Sequence, residues 1–378
     1  MNNILTEVFM QSFIALLRRE PVMIIAGILA VVSMFYVTPS ADYFKYIDYD
    51  VLALLFSLMV IMAGLEEIGF FNKLAESLLV KTTNIRMLIF VLVMLCFFVS
   101  MFFTNDLVLI VFVPFAIKIL QMAEREDRII ITVVLQTIAA NLGSMLLPIG
   151  NPQNLYLYQY FDIPIWEFVS IIAPYVVISL VVLLVFIGLQ PKIAVNFSLS
   201  SAKSWNSMGK SLWVYAILFA IALLSVVRIV DKGIMLIIVL AVMLFYNRRA
   251  FKIDYCLLLT FVFFFIFVGN LKAIPEVSAL MEQLLLGREM EVTMLASQVI
   301  SNVPATVLFS GFSANYGELL IGASIGGLGT LVASLASLIS FKLFTNHTTL
   351  SKGRYLLVFT LCNILFIFIL IGFYVLFL

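Results

Sequence analysis

A polar tripeptide, Thr104-Asn105-Asp106, interrupts the apolar run 87–120, which is otherwise long enough to cross a membrane. In the second half of the chain, Ser301-Asn302-Val303-Pro304 interrupts the apolar run 293–312 in the same way. Lipid cannot satisfy the backbone groups that such breaks expose, so the breaks persist only where protein or a water-filled cavity covers them. Two breaks at matching places indicate a secondary transporter with inverted repeats and a central binding site.

The composition indicates a membrane protein. The chain has 378 residues, of which 64% are hydrophobic and 11% charged, with a mean hydropathy of +1.17. A soluble protein carries roughly 25% charged residues, so lipid is the main surrounding expected here. A net charge of +1 argues against nucleic acid as a partner. Residues 1–20 are amphipathic and lack a small-residue cleavage site, so no cleavable signal is expected.

The residues that enzymes and metal sites use are scarce. Cys96, Cys256 and Cys362 lie in apolar runs without a CxxC spacing, which favours packing roles. His347 is the only histidine and lies in a polar stretch, as surface residues do. Zinc chemistry and Ser/His/Asp catalysis therefore lack their usual parts. We expect neither an enzyme nor a cofactor other than a coupling ion.

Apolar segments recur along the whole chain, and four of them are broken. They lie at 21–39, 51–68, 87–120 (broken), 129–160 (broken), 165–190, 211–228, 233–247, 254–270, 292–314 (broken), 318–341 (broken) and 355–377. Two amphipathic stretches, 71–81 and 274–286, read as helices in the membrane interface. The pattern predicts an all-α polytopic membrane protein.

Positive charges orient the chain, because cytoplasmic loops are enriched in Lys and Arg. If 87–120 is a hairpin that enters and leaves on one side, 17 of these residues fall on the cytoplasmic side, among them Arg18, Arg19, Lys81 and Lys203, and 5 on the other. This arrangement puts the N-terminus in the cytoplasm of a bacterial cell and the C-terminus outside. It also makes hairpin 292–314 open outward and hairpin 87–120 open inward.

Matching elements predict two inverted-topology repeats, each with a re-entrant helical hairpin and a broken transmembrane helix. The first repeat is 1–190, the second is 211–378, and the polar stretch 191–210 is a cytoplasmic linker. A span that ends in Gly64-Leu65-Glu66 matches one that ends in Gly269-Asn270-Leu271. Each is followed by an interfacial helix, an Asn-tipped hairpin, a broken span (129–160 or 318–341) and an unbroken span.

The breaks offer sites for an anion and a cation. The helix after a break presents free N–H groups, which suit an anion, and the helix before it ends in free carbonyls, which suit sodium. The predicted substrate-binding residues are Asn105, Asn302, Gly150, Asn151, Pro152, Asn154, Thr306, Gly329 and Thr330. The predicted cation-coupling residues are Thr104, Asn105, Asp106, Gly143, Ser144, Ser301, Asn302 and Gly326, with Na⁺ expected at Asn105, Ser144 and Asn302.

Asp106 is the one carboxylate expected at a hairpin tip, and three interpretations remain open. It is a cation ligand or proton carrier, because an unpaired charge in the membrane is costly. Alternatively it is an N-cap for the following helix, or a hydrogen-bond partner needed only for folding.

Thr104-Asn105-Asp106, the run Gly150-Asn151-Pro152-Gln153-Asn154 and Ser301-Asn302-Val303-Pro304 resemble the ion transporter superfamily. That group includes divalent anion/sodium symporters, ArsB-type arsenite permeases, citrate transporters and NhaD-type sodium/proton antiporters. The resemblance covers nearly the whole chain. It is strongest to small bacterial anion permeases.

The resemblance implies an elevator mechanism, in which a dimeric scaffold stays still while hairpins and broken helices carry the site. In the symporters the tips read Ser-Asn-Thr and hold sodium and substrate carboxylates, and Asn105 and Asn302 match those asparagines. The third tip position departs from the family pattern, since it is Asp106 in one repeat and Val303 in the other. Asp106 weakens the case for a dicarboxylate and favours cation coupling or a neutral oxyacid such as arsenous acid.

The leading interpretation is a secondary active transporter of a small anion, coupled to sodium or protons. A sodium/proton antiporter without an organic substrate is the runner-up. A passive channel fits less well, because the two predicted hairpins form paired gates. An intramembrane enzyme fits less well, because no nucleophile–base pair is visible.

Overall fold

Helices are the only extended regular elements in a computed structural model that describes residues 20–79, 82–195 and 205–377. In the first half they are α1 Pro21–Ser33, α2 Tyr49–Glu67, α3 Phe70–Leu79, α4 Ile85–Phe102, α5 Asn105–Met122, α6 Ile129–Gly143, α7 Pro152–Tyr160 and α8 Ile165–Gly188. In the second half they are α9 Trp205–Val226, α10 Lys232–Tyr246, α11 Tyr255–Lys272, α12 Pro275–Leu285, α13 Glu289–Ile300, α14 Asn302–Ser310, α15 Tyr316–Gly326, α16 Leu335–His347 and α17 Lys352–Phe377. The predicted positions of Arg18, Arg19, Lys81 and Lys203, and residues 196–204 of the linker, lie outside the described residues.

Seven helices among the described residues are long and apolar enough to cross a membrane: α2, α4, α5, α8, α9, α11 and α17. Helices α1 and α10 are apolar but shorter, with 13 and 15 residues. Their positions agree with the apolar segments in the sequence. The prediction of an all-helical chain with several candidate membrane spans is confirmed for the described residues.

All four predicted interruptions are breaks between helices. Helix α4 ends at Phe102 and α5 begins at Asn105, while α13 ends at Ile300 and α14 begins at Asn302. Ser301, between the latter two, has φ +73°, a left-handed conformation that ends the helix abruptly. Helices α4 and α5 have 18 residues each, or about 27 Å. Each is thus long enough to cross the bilayer, and a re-entrant hairpin at this place stays a prediction.

The two halves exchange packing partners. Helix α1 packs against α11, and α10 packs against α2; likewise α5 packs against α16, and α14 packs against α7. Within each half, the first hairpin helix packs on the first part of the broken span, α4 on α6 and α13 on α15. Each half therefore completes the helix pairs of the other.

Glycines make the closest of these crossings possible. A Cβ at Gly143 in α6 would collide with the carbonyl oxygen of Phe97 in α4. A Cβ at Gly326 in α15 would likewise collide with the side chain of Ser297 in α13. Ser100 and Ser297 each lie five residues before the tip asparagine of their half. The same crossing is thus built twice, and Gly143 and Gly326 occupy equivalent places in it.

Gly143→Ala should destabilise the protein, because the Phe97 carbonyl belongs to the backbone and cannot move away as a side chain can. We expect a loss of about 1–3 kcal/mol in the free energy of unfolding, typical of overpacking, seen as a lower melting temperature of the purified protein in detergent. Gly188→Ala is the control, since a Cβ there meets no atom within 4 Å. Equal melting of both variants would contradict the close crossing.

Candidate functional site

Five helix N-termini meet at one cavity, the central cavity, with a volume of about 60 Å³. The first residues of α1 and of the four helices that follow the breaks, α5, α7, α14 and α16, all line it. Its walls from the breaks are Asn105, Asp106, Pro152, Gln153, Ser301, Asn302, Val303, Pro304, Ser334 and Leu335. A water molecule needs roughly 10–15 Å³ by this measure. The central cavity therefore has room for a few waters, or for a small ion.

The electrostatics of the central cavity combine positive backbone ends with carboxylates. Each helix start carries the positive end of its dipole, which attracts an anion. Some of the N–H groups there already have partners: the Asn302 N–H donates to the carbonyl of Ala333 at 2.9 Å and the Asp106 N–H to Asn105 Oδ1 at 3.0 Å. Glu20 precedes α1, Asp254 caps α11, and both line the cavity together with Asp106. None of the lining residues that the structure describes is Lys, Arg or His. Backbone dipoles are therefore the positive charge that the described walls supply.

An adjoining cavity of about 120 Å³ continues from the first one. Asp106, Pro152 and Asp254 line both cavities, while Thr104 and Asn151 line only the adjoining one. Beside them, the ligand atoms of Glu20, Asp254 and Cys256 lie within 4.8 Å of one another, a spacing that a cation could bridge. Asp106 and Asp254 thus stand at the junction of the two cavities.

Asn141, at the end of α6, connects the breaks of both halves. Its Oδ1 accepts hydrogen bonds from Asn105 Nδ2 at 3.0 Å and from Ser334 Oγ at 3.1 Å. Its Nδ2 donates to the carbonyl of Gly327 at 3.4 Å and to Ser337 Oγ at 3.3 Å. The side chain is buried, and these four hydrogen bonds use both of its N–H donors and both lone pairs of its oxygen. One amide therefore fixes a hairpin tip of the first half against the break of the second.

The first-half break is held by its own asparagines. Asn151 caps α7 by accepting from the Asn154 N–H at 3.4 Å, and its Nδ2 donates to Ser144 Oγ at 2.9 Å. Asn154 Nδ2 donates to the carbonyl of Met145 at 3.1 Å. At Gly150, a Cβ would collide with the Ser144 carbonyl. The Gly-Asn-Pro-Gln-Asn run thus keeps the break open from within.

In the second half, the side chain of Gln298 in α13 holds the break. Gln298 Nε2 donates to the carbonyls of Gly326 at 3.1 Å and Leu328 at 3.0 Å, and its Oε1 accepts from the Thr330 N–H at 3.0 Å. Gly329 has φ +106°, and its N–H donates to Asn363 Oδ1 of α17 at 3.2 Å. The unwound carbonyls at this membrane depth are therefore paired with amides.

Some of the predicted site residues line one of the two cavities, and the others do not. Asn105, Asp106, Pro152, Ser301 and Asn302 line the central cavity, and Thr104 and Asn151 line the adjoining one. The rest lie in the breaks or in the helices beside them and line neither cavity: Gly143, Ser144, Gly150, Asn154, Thr306, Gly326, Gly329 and Thr330. Thr306, for example, donates to the carbonyl of Asn302 at 2.6 Å. The ligand roles of all these residues stay predictions.

Sequence reasoning missed Asn141, Gln153, Glu20 and Asp254 as parts of the site. Comparison of the two halves could have pointed to Asn141. Residues 141–154 align without a gap to 324–337, which pairs Gly143 with Gly326 and places Asn141 at the start of the matching segment. The same alignment pairs Asn151 with Ser334, and the structure shows each directly preceding a helix. No local pattern marks Glu20 or Asp254, which reach the cavity only through the packing of α1 on α11.

Comparisons with known proteins give a consistent picture. Residues 4–318 match a family model described as citrate transporter. An uncharacterized transporter of Methanocaldococcus jannaschii is 30% identical over 334 residues, which cover 88% of this chain and 91% of that protein. The inner membrane protein YbiR of Escherichia coli is 28% identical over 303 residues, 79% of this chain and 80% of YbiR. A silicon efflux transporter of Oryza sativa is 32% identical over 124 residues, 33% of this chain and 25% of its own.

Asn141→Ala should destabilise the protein, because it leaves buried partners in both halves unpaired. Each buried polar group that loses its partner costs about 1–3 kcal/mol, so the melting temperature should fall clearly below that of the parent. Asn346→Ala, at an exposed position near the end of α16, is the matched control. If both variants melt like the parent, Asn141 does not connect the two breaks.

Proposed function

Because this chain belongs to the citrate transporter family, we propose that it is a secondary active transporter of a small anion, coupled to sodium or protons. The observation that carries the proposal is the convergence of both asparagine-tipped breaks on one cavity. A channel needs a continuous pore, whereas a single site between paired breaks suits alternating access. The proposed place of action is the cytoplasmic membrane.

Backbone N–H groups would hold the anion. The starts of α5, α7, α14 and α16 present them to the central cavity from several sides. Such groups bind phosphate, sulfate or carboxylate at helix N-termini without a cationic side chain. This accounts for an anion site among described wall residues that include no Lys, Arg or His.

A cation would have to accompany the anion, because the carboxyl groups of Asp106 and Asp254 lie in the same space. Sodium or a proton at Asp106 would remove the repulsion between that carboxylate and the substrate. The coupling that a symporter requires thus follows from the charges of the walls: each ion makes the site more favourable for the other.

The exchanged packing of the halves supports an inverted repeat. Hairpin helix α5 packs on α16 as α14 packs on α7, so equivalent elements have equivalent partners. In an elevator arrangement, α4–α8 and α13–α17 would move against α1, α2, α10 and α11. In the predicted topology α1 and α11 begin at the cytoplasmic side. The presence of Glu20 and Asp254 beside the tips therefore supports an inward-facing arrangement. A homodimeric scaffold is proposed from the family resemblance alone.

A sodium/proton antiporter is the second candidate, and the three carboxylates at the cavity favour it. Paired or clustered carboxylates in the membrane suit proton and cation relays. A neutral oxyacid is the alternative substrate, in the manner of an arsenite-type permease. The partial similarity to a silicon efflux transporter supports it.

One experiment separates these candidates. The purified protein is melted with citrate, succinate, phosphate, sulfate or arsenous acid, each with and without sodium. Because a ligand stabilises the state that binds it, a shift that needs both anion and sodium supports sodium symport. In proteoliposomes, proton movement driven by a sodium gradient alone, without any anion, would favour the antiporter.

Asn105→Ala and Asn302→Ala should both abolish uptake in proteoliposomes while leaving the oligomer size unchanged. The two should differ in stability. Asn105 is bonded to Asn141, so its loss lowers the melting temperature, whereas the Asn302 side chain makes no hydrogen bond to a described residue and its loss does not. Normal uptake by both variants would remove the central-site model.

Asp106→Asn should change coupling rather than binding. If sodium neutralises Asp106, the variant loses much of the sodium dependence of uptake but still binds substrate. If a proton does, the variant has a flat pH profile, since the amide mimics the protonated acid. Uptake that keeps both its sodium and its pH response would make Asp106 a helix cap, and coupling would fall to the groups around Ser144 and Ser301.

A further inference from the structure

The central cavity contains a glutamine that the structure leaves without a partner. Gln153, the second residue of α7, lines the cavity and is 2% exposed. Its side-chain amide makes no hydrogen bond to any residue that the structure describes. Because this amide lies on the cavity wall and no bond of the fold has to be broken, a ligand there can accept a hydrogen bond from it.

The polar side chains near Gln153 already make hydrogen bonds within the protein. Asn151 bonds to Ser144 and caps α7, and Asn154 bonds to the carbonyl of Met145. At the hairpin tip, the Asn105 amide is bonded to Asn141. Among these polar side chains of the first half, Gln153 is thus the one whose amide remains available at the cavity.

The second half offers no equivalent of Gln153. In the gap-free alignment of 141–154 with 324–337, Gln153 corresponds to Ala336 and Pro152 to Leu335. The second half instead contributes Asn302, which is 4% exposed, lines the cavity and makes no side-chain hydrogen bond to a described residue. A ligand between the halves therefore meets one free amide from each, at positions that are not equivalent.

We propose that Gln153 determines the substrate specificity of this transporter, by donating a hydrogen bond from its Nε2 to an oxygen of a small oxyanion. The inference rests on the proposed function. The dipoles of the helix starts attract any anion, because their positive potential acts on charge whatever the shape of the anion. The Gln153 amide adds a donor of fixed position and so distinguishes anions by where their oxygens lie.

The test uses the full-length protein and the anion of the panel citrate, succinate, phosphate and sulfate that stabilises it most in sodium. Gln153→Glu keeps the size of the side chain but replaces the donor with an acceptor that repels an anion. The affinity for that anion should fall about 10- to 100-fold, as expected for a hydrogen bond to a charged group. A carboxylate buried beside Asp106 and Asp254 destabilises the unliganded variant, so each affinity is taken from the anion-induced shift relative to the same variant without anion. Gln153→Leu, which removes the donor without adding a charge, should lose affinity as well. Gln153→Asn should change the order of preference among the four anions.

Gln159→Glu is the matched control, because it makes the same change on the same helix, where the amide donates to the carbonyl of Val226 at 3.2 Å. It should bind the anion as the parent does. Anion binding by Gln153→Glu at the parent affinity would overturn the proposal. If no anion of the panel stabilises the parent, the proposed function itself fails, and this inference fails with it.

Discussion

Backbone groups that are interrupted at membrane depth must find partners inside the protein, since lipid offers none. This constraint shapes the centre of the molecule. Asn141, Asn151, Asn154 and Gln298 direct their amides at the carbonyls, hydroxyls and N–H groups of the breaks. Amide side chains suit this task, because each both donates and accepts without carrying a charge. Most of the polar residues at this depth therefore maintain the interruption and do not face the cavity.

The N-termini of the helices that follow the breaks determine the electrostatics of the site. They supply positive potential from fixed backbone dipoles, which lose no side-chain entropy when a ligand binds. Asp106 and Asp254 supply negative charge within the same walls. Such a site would suit an anion and a cation bound together, which the proposed coupling of two solutes requires.

The sequence predicted the helices and all four breaks, because apolar runs and the residues that interrupt them are local signals. Gly143 and Gly326, like Asn105 and Asn302, could be found by comparing the two halves. Glu20, Asp254 and Gln298 could not be placed, since their positions at the cavity or at a break depend on which helices pack together. The prediction for Asn151 and Asn154 was drawn from a motif. The structure uses their side chains to hold the break, and only Asn151 lines a cavity wall, that of the adjoining cavity.

Asn141 has a consequence for how the protein is made. Its partners Gly327 and Ser337 follow it by 186 and 196 residues, so at about 5–20 residues per second the ribosome needs roughly 10–40 s to produce them. During that interval α6 has a polar side chain, and α5 lacks α16, its packing partner. Premature contact with lipid would leave the Asn141 Nδ2 without an acceptor, since both of its acceptors belong to the second half. The nascent first half should therefore stay bound to the insertion machinery until the second half has been translated.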